Sequence, residues 1–311
     1  MKSKTKLGGA VVPLVTPATF DGRVDLPALD RLIESQIAGG VEGVLILGTT
    51  GEGPCVPQAV RRSLIERAVM TSRKRILIYA NVAENSLTDA ISSTQDYFTA
   101  GADVVAVLPP FYFPPQPAEV TAWYRAILDA APGPVFIYNI PLTTQVSVPL
   151  DVIEELIDHP RLVGIKDSEN DPERHQELLN RFGGRENFSI LIGVGKLMAQ
   201  GLKQGADGIV PSSGNLIPRD CQQQVSAARR QDWPTVDASA ARQAEVTAIY
   251  QRNRNLGQSL AALKGMLHHR GLCDPHVFPP LFPMSTMELE SLRAEMTDAD
   301  LIESLQMREA S

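Results

Sequence analysis

A chain of 311 residues with 43% hydrophobic and 21% charged side chains has the make-up of an ordinary globular protein, which excludes a disordered or fibrous one and leaves room for one large α/β barrel or two ordinary domains. The formal net charge of −7 and the lack of any basic block argue against a nucleic-acid partner; the short Arg73-Lys74-Arg75 cluster falls where a helix should end and complements its dipole. Cys55, Cys221 and Cys273 are odd in number, far apart and without a C-x-x-C pair, so the expected setting is a reducing, cytoplasmic one with neither disulfides nor a structural zinc.

The basic start Met1-Lys2-Ser3-Lys4 is followed by an apolar stretch broken by Pro13 and Pro17, which lacks a secretory cleavage pattern, and no apolar run approaches membrane-spanning length. Beyond it, short β-branched runs alternate with stretches of helical length. Strands are expected at 9–16, 43–48, 76–81, 104–108, 135–139, 162–166, 189–193 and 208–211. Most are continuous apolar runs without polar alternation, as parallel strands covered on both faces require. Helices are expected between them at 26–38, 58–72, 87–100, 117–131, 149–158, 171–181 and 196–204. Ser86 and Gly101 bracket the third as start and stop signals, and Pro149 suits a first helical turn.

Eight strand-then-helix units over roughly 230 residues fit a (β/α)8 TIM barrel better than an open doubly wound sheet. The barrel is assigned to residues 1–232. Residues 233–311 read as a C-terminal helical extension, with helices at 235–253, 256–269, 287–295 and 298–307, packed on the barrel or used in assembly. The Pro/Phe-rich run 277–283 reads as an ordered loop, because its apolar side chains favour docking.

In such a barrel the chemistry lies at the carboxyl ends of the strands. There the second strand ends in Gly48-Thr49-Thr50-Gly51-Glu52, the fourth runs into Pro110-Phe111-Tyr112, the fifth ends in Tyr138-Asn139-Ile140-Pro141 and the sixth in Gly164-Ile165-Lys166-Asp167. Lys166 is the most informative of these. An ammonium group is costly to bury, so a lysine closing an apolar strand usually has a task, and a neutral amine there attacks carbonyls to form a Schiff base. Taken alone, a lysine at a strand end is more often a solvated boundary residue. Tyr138 could be a buried strand aromatic, and Gly-Thr-Thr-Gly a mere strand-to-helix turn.

The ordered set of these pieces, with Tyr138 and Lys166 28 positions apart, resembles the pyruvate-dependent class I aldolases and lyases typified by dihydrodipicolinate synthase and N-acetylneuraminate lyase. The resemblance covers the whole barrel. It implies that Lys166 holds pyruvate, or a 2-oxo acid that yields it, as an iminium ion, and that Tyr138 shuttles a proton to or from the C4 hydroxyl. Gly48, Thr49 and Thr50 then match the site for the pyruvate carboxylate, with Thr50 in the proton relay. Tyr112 matches the tyrosine that reaches into a neighbouring subunit's site, which implies a dimeric contact and commonly a homotetramer.

Two departures bear on the substrate. Five residues beyond Tyr138, where dihydrodipicolinate synthase carries an arginine for the semialdehyde carboxylate, stands Thr143. After the seventh strand, where N-acetylneuraminate lyases carry an acidic pair, stand Gly193-Val194-Gly195-Lys196. The expectation is therefore an aldolase or lyase of 2-oxo-3-deoxy sugar acids or related 4-hydroxy-2-oxo acids, yielding pyruvate and a small aldehyde. Thr143, Thr144 and Gln145 would meet its hydroxyls, and Lys196 either a distal anion or solvent. The Ser212-Ser213-Gly214-Asn215 loop could line the same mouth. The alternatives are 4-hydroxy-tetrahydrodipicolinate synthase activity, a dehydratase using the same iminium, and a noncatalytic pyruvate-binding protein.

The remaining candidates are weaker. Gly193-x-Gly195 lacks a nucleotide-binding fingerprint, so no nicotinamide cofactor is expected. His268 and His269 point in different directions on one helix. Asp167, Glu169 and Asp171 read as a solvated acidic rim rather than a divalent site. Neither a metal nor an organic cofactor is expected, since the lysine itself supplies the electron sink.

Overall fold

The computed structural model describes residues 6–299 and 301. Eight parallel strands close on themselves in chain order: β1 (Gly9–Pro13), β2 (Gly43–Ile46), β3 (Leu77–Val82), β4 (Val104–Val107), β5 (Val135–Asn139), β6 (Leu162–Asp167), β7 (Ser189–Ile192) and β8 (Gly208–Ile209). The fold is a (β/α)8 TIM barrel, and each expected strand is present. Their apolar continuity has the anticipated cause. Within β4, Val104 and Ala106 face the barrel interior while Val105 and Val107 join the layer beneath the helices. Tyr79 and Phe136 fill the interior edge to face, with ring centroids 5.8 Å apart.

One irregularity of the barrel wall sets up everything at its mouth. Between β5 and β6 the register runs Val135 opposite Leu162 and then Phe136 opposite Gly164, so β6 carries one extra residue. Glycine is required there, because a Cβ on Gly164 would lie 2.4 Å from the Ser189 carbonyl oxygen and 2.5 Å from the Phe136 ring. Beyond this bulge the two strands resume normal pairing.

Around the barrel run α1 (Leu26–Ala38), α2 (Gln58–Ser72), α3 (Leu87–Thr99), α4 (Pro117–Ala130), α5 (Pro141–Thr144), α6 (Leu150–Leu156), α7 (Pro172–Phe182), α8 (Gly195–Lys203) and α9 (Pro218–Arg229). Local chemistry explains the starts: Asp25, Ser86 and Asp171 accept backbone N–H groups as N-caps of α1, α3 and α7. Pro149 caps α6 from outside rather than opening it. Two helices are not evident from the sequence. The short α5 is a single turn directly after β5. In α9 the inward face is Pro218, Cys221, Gln224, Val225 and Ala227, too polar and small to show an apolar period; Gln224 is instead hydrogen-bonded to Gln243 and to the Val236 carbonyl.

From Trp233 onward the chain is helical, with α10 (Trp233–Gln251), α11 (Leu256–His269) and α12 (Thr286–Asp298). Asn255 and Ser285 open α11 and α12 with capping boxes. These helices share the apolar layer of the barrel helices through Val246, Leu263, Met266 and Leu292. Between α11 and α12, Val277 and Phe278 are buried. The helix expected at 298–307 lies almost entirely outside the described residues.

Candidate active site

Beyond the β6 bulge Tyr138 stands opposite Lys166, both aimed into the barrel mouth. Lys166 is 6% exposed and Tyr138 1%. The Lys166 Nζ lies 3.8 Å from the centroid of the Tyr138 ring, and the Tyr138 hydroxyl lies 3.1 Å from the Thr49 Oγ1. An amine, a phenol and a threonine thus form one continuous string across β6, β5 and the turn after β2. Contact with the phenol face tethers the amine, and among the described residues no carboxylate pairs with it to compete with an incoming carbonyl.

The turn itself is held in a shape ordinary residues avoid. Leu47 and Glu52 both adopt left-handed backbone, with φ of 62° and 55°. Asn81 Nδ2 donates to the Leu47 carbonyl at 3.1 Å, and Thr16 Oγ1 to the Gly51 carbonyl at 2.6 Å. Gly53 passes so close beneath that a Cβ would lie 1.8 Å from the Leu47 oxygen. Internal bonds run from the Glu52 and Gly53 N–H groups to the carbonyls of Thr49 and Gly48. The N–H groups of Thr49, Thr50 and Gly51, and the Thr50 hydroxyl, have no acceptor among the described residues. Successive free N–H groups in a turn of this kind are the backbone arrangement that suits an anion.

Glu52 anchors the turn from below. Its Oε1 lies 2.5 Å from the Nζ of Lys264 on α11, both side chains being fully buried, and its Oε2 accepts the Phe278 N–H at 2.7 Å. Lys264 also donates to the His276 carbonyl at 2.8 Å. Burial pushes the Glu52 carboxyl above its ordinary range and the Lys264 amine below its own, each opposed by the attraction of the other. Sequence reasoning passes over Lys264, which lies 212 positions from its partner.

The expected acidic rim is not a solvated loop. Asp167 is fully buried on the outer side of the barrel wall, directly behind the Tyr138–Lys166 pair. It accepts bonds from Asn139 Nδ2 (3.2 Å), the Glu169 N–H (2.9 Å), Arg174 Nε (2.9 Å) and His175 (3.3 Å). Glu169 takes bonds from Asn139 and Ser147 and pairs with Arg174 at 3.1 Å. Burial works to raise the Asp167 carboxyl, but the His175 bond and the Arg174 charge outweigh it, and the net shift is downward. Asp171 is the cap of α7. The spacing of carboxylates in sequence gave no sign of the arginine and histidine that turn them inward.

The other candidates fall around the rim. Tyr112 is 76% exposed, its N–H held by Asn85 and its hydroxyl unpartnered among the described residues. Thr143 is exposed on α5, its hydroxyl 3.4 Å from the Ile140 carbonyl, while Thr144 is buried and bonded to Ile140 and Val146. Lys196 is exposed at the start of α8 and has no partner among the described residues. Gly193 donates to the Asp167 carbonyl at 2.7 Å, and a Cβ there would lie 2.0 Å from the Ser168 Oγ. Its lack of a side chain therefore makes room for Ser168, a residue that sequence reasoning missed. Ser168 continues the ladder by donating to the Asn139 carbonyl at 2.8 Å, which sets its side chain on the same face as Lys166 two residues earlier. The loop after β8 is structural: Asn215 ties together Pro13, Val15 and Ser212, and the Ser212 hydroxyl is 2.8 Å from that of Tyr250. Among the described residues no three His, Cys, Asp or Glu side chains are arranged to hold a metal ion, and no helix is long and apolar enough to cross a membrane.

A lysine touching a phenol at the strand ends, with an anion-receiving turn linked to that phenol, places the chain among the barrel lyases that work through class I aldolase chemistry. Within that class the assignment is specific: residues 6–299 match the Dihydrodipicolinate synthetase family, and the chain belongs to it. It is 33% identical over 294 residues to a 4-hydroxy-tetrahydrodipicolinate synthase of Phenylobacterium zucineum, covering 94% of this chain and 98% of that protein. A protein of the same name from Sorangium cellulosum is 36% identical over 220 residues, 70% of this chain and 72% of the other. Among solved structures, the dihydrodipicolinate synthase of Bacteroides thetaiotaomicron superposes with a TM-score of 0.90 at 28% identity, over 95% of this chain and 99% of that one. The chloride-inhibited enzyme of Acinetobacter baumannii, complexed with pyruvate, superposes with a TM-score of 0.88 at 28% identity, over 96% and 100%.

Proposed function

We propose that this protein makes or breaks a carbon–carbon bond between pyruvate, held on Lys166, and a small aldehyde. The observation that carries the reading is the contact of the Lys166 amine with the Tyr138 ring, whose hydroxyl continues to Thr49. The Lys166 nitrogen adds to C2 of pyruvate and water leaves, forming the iminium. Loss of a C3 proton gives an enamine, whose C3 attacks the aldehyde carbon while the Tyr138 hydroxyl protonates the aldehyde oxygen. Hydrolysis of the new iminium restores the amine, and cleavage is the same sequence reversed. The N–H groups of Thr49, Thr50 and Gly51, with the Thr50 hydroxyl, hold the pyruvate carboxylate. Tyr112 completes the relay in the site of a second copy within a homotetramer, and the protein works in the cytoplasm.

The rim favours an uncharged, hydroxylated acceptor, as in 2-oxo-3-deoxy sugar acids and related 4-hydroxy-2-oxo acids. Thr143 offers a hydroxyl rather than a cation, and the nearby guanidinium of Arg174 is already taken by Asp167, Glu169 and the Val148 carbonyl. The names of the relatives favour a second reading, 4-hydroxy-tetrahydrodipicolinate synthase. Lys196, exposed and without a partner among the described residues, would then be a cation able to meet an acceptor carboxylate.

Borohydride trapping with pyruvate, followed by peptide mapping, tests the shared step: an adduct on Lys166 is expected, and none, or one on another lysine, refutes it. Aldehydes with and without a carboxylate, offered to the trapped-competent enzyme, then separate the readings. Coupling with hydroxylated neutral aldehydes supports the first, coupling confined to a carboxylated semialdehyde the second. Loss of water without cleavage of the carbon chain would point instead to a dehydratase.

A further inference from the structure

We propose that Lys264 is a positioning residue for the pyruvate site: through Glu52 it holds the turn after β2 in the shape that presents the Thr49, Thr50 and Gly51 N–H groups to a carboxylate. The inference rests on the reading of that turn as the pyruvate receptor.

Glu52 occupies left-handed backbone with φ of 55°, a conformation unfavourable for a side-chain-bearing residue and one that glycine or asparagine would adopt more easily. A glutamate stands there with both carboxylate oxygens engaged, one by Lys264 and the other by the Phe278 N–H. Both side chains of the ion pair are fully buried. Such a pair is poor evidence of stabilisation, since apolar residues of similar volume commonly serve as well or better. What it does supply is direction. Lys264 is itself fixed by the His276 carbonyl and lies 5.2 Å from the Phe278 ring centroid, so the carboxylate has one place to sit. Glu52 is bonded to Gly51, whose N–H is one of the free donors, and its own N–H closes the turn on the Thr49 carbonyl. A shift of the Glu52 side chain must therefore move the donors. Neither Glu52 nor Lys264 faces the barrel mouth, which separates their role from that of the groups touching substrate.

The test compares wild type, Glu52→Gln, Lys264→Met and the double variant Glu52→Gln/Lys264→Met, using pyruvate and borohydride alone. For each, the thermal midpoint, the pyruvate concentration giving half-maximal trapping and the maximal trapped fraction are measured. The double variant, which leaves no unpaired buried charge, is expected to melt close to wild type and to reach full trapping on Lys166, but with half-saturation raised about tenfold. Glu52→Gln, which keeps the acceptor for Phe278, is expected to shift less. Wild-type half-saturation in the folded variants overturns the proposal. So does a lowered maximal fraction at unchanged half-saturation, which marks a purely structural pair. Absence of any adduct in the wild type overturns both this inference and the function it rests on, whereas an adduct with unshifted variants overturns the inference alone.

Discussion

Tyr138 and Lys166 face each other across neighbouring strands because β6 carries one residue more than β5 between Val135 and Phe136. Without that bulge Tyr138 would pair with Ile165, and the amine would pass to the outer face of the wall among the helices. The chemistry of the site thus depends on a register, and the register on the absence of a side chain at Gly164.

Substituting Gly164→Ala should therefore act on both stability and capture. The added Cβ meets a backbone oxygen and a buried ring, so overpacking of about 1–3 kcal/mol is expected. Thermal melting and borohydride trapping should fall together; a variant that melts lower yet traps pyruvate as well as wild type would show that the bulge is not what aligns the pair.

Lys166→Ala should abolish covalent capture. Tyr138→Phe keeps the ring against the amine and removes only the proton, so it should still trap pyruvate while turnover drops about 10²- to 10⁴-fold. Tyr112→Phe should slow turnover without changing the assembly, as followed by gel filtration beside the rate measurement. Normal turnover in any of the three contradicts the role given to that residue.

Asp167 predicts a dependence on acid. Its carboxyl titrates below the ordinary value of 3.8 in the folded protein, so its contribution to stability is fully present above that value and is lost as the pH falls from there through the folded value. Asp167→Asn should be less stable at neutral pH, by at most about 3–5 kcal/mol because Glu169 still faces Arg174, and should lose less further stability on acidification. Denaturation midpoints between pH 7 and pH 3 measure this; parallel acid slopes for the two proteins would show that Asp167 does not carry the effect.

The barrel was legible because its strands are buried on both faces and read as unbroken apolar runs, as at 104–107 and 189–192. Helices with an apolar stripe were legible for the same reason, while α9 was hidden by Gln224, a buried amide whose partners Gln243 and Val236 arrive from the next helix. At the site, Lys166, Tyr138 and Thr49 could be picked out by residue type and position at strand ends. That they share the carboxyl face of the barrel could be read as well; the register that sets Tyr138 opposite Lys166 could not, since a bulge leaves no mark in the residues around it beyond one glycine. Asp167 was misread for a related reason: of three nearby acids only Asp171 is exposed, while Arg174 folds back on Asp167 and Glu169 and His175 on Asp167 from the first turn of α7. Lys264 was invisible, its partner being 212 positions away.

That separation matters when the chain is made from one end. The strand and turn proposed to receive pyruvate are synthesised early, yet their anchors at Lys264, His276 and Phe278 follow only after all eight strands. On the proposed reading, a nascent chain that has emerged only as far as β8 still lacks the groups that anchor the receptor. Competence for pyruvate would then be among the last properties the growing polypeptide acquires, a delay that would keep the Lys166 amine idle until α11 and the segment after it have been delivered.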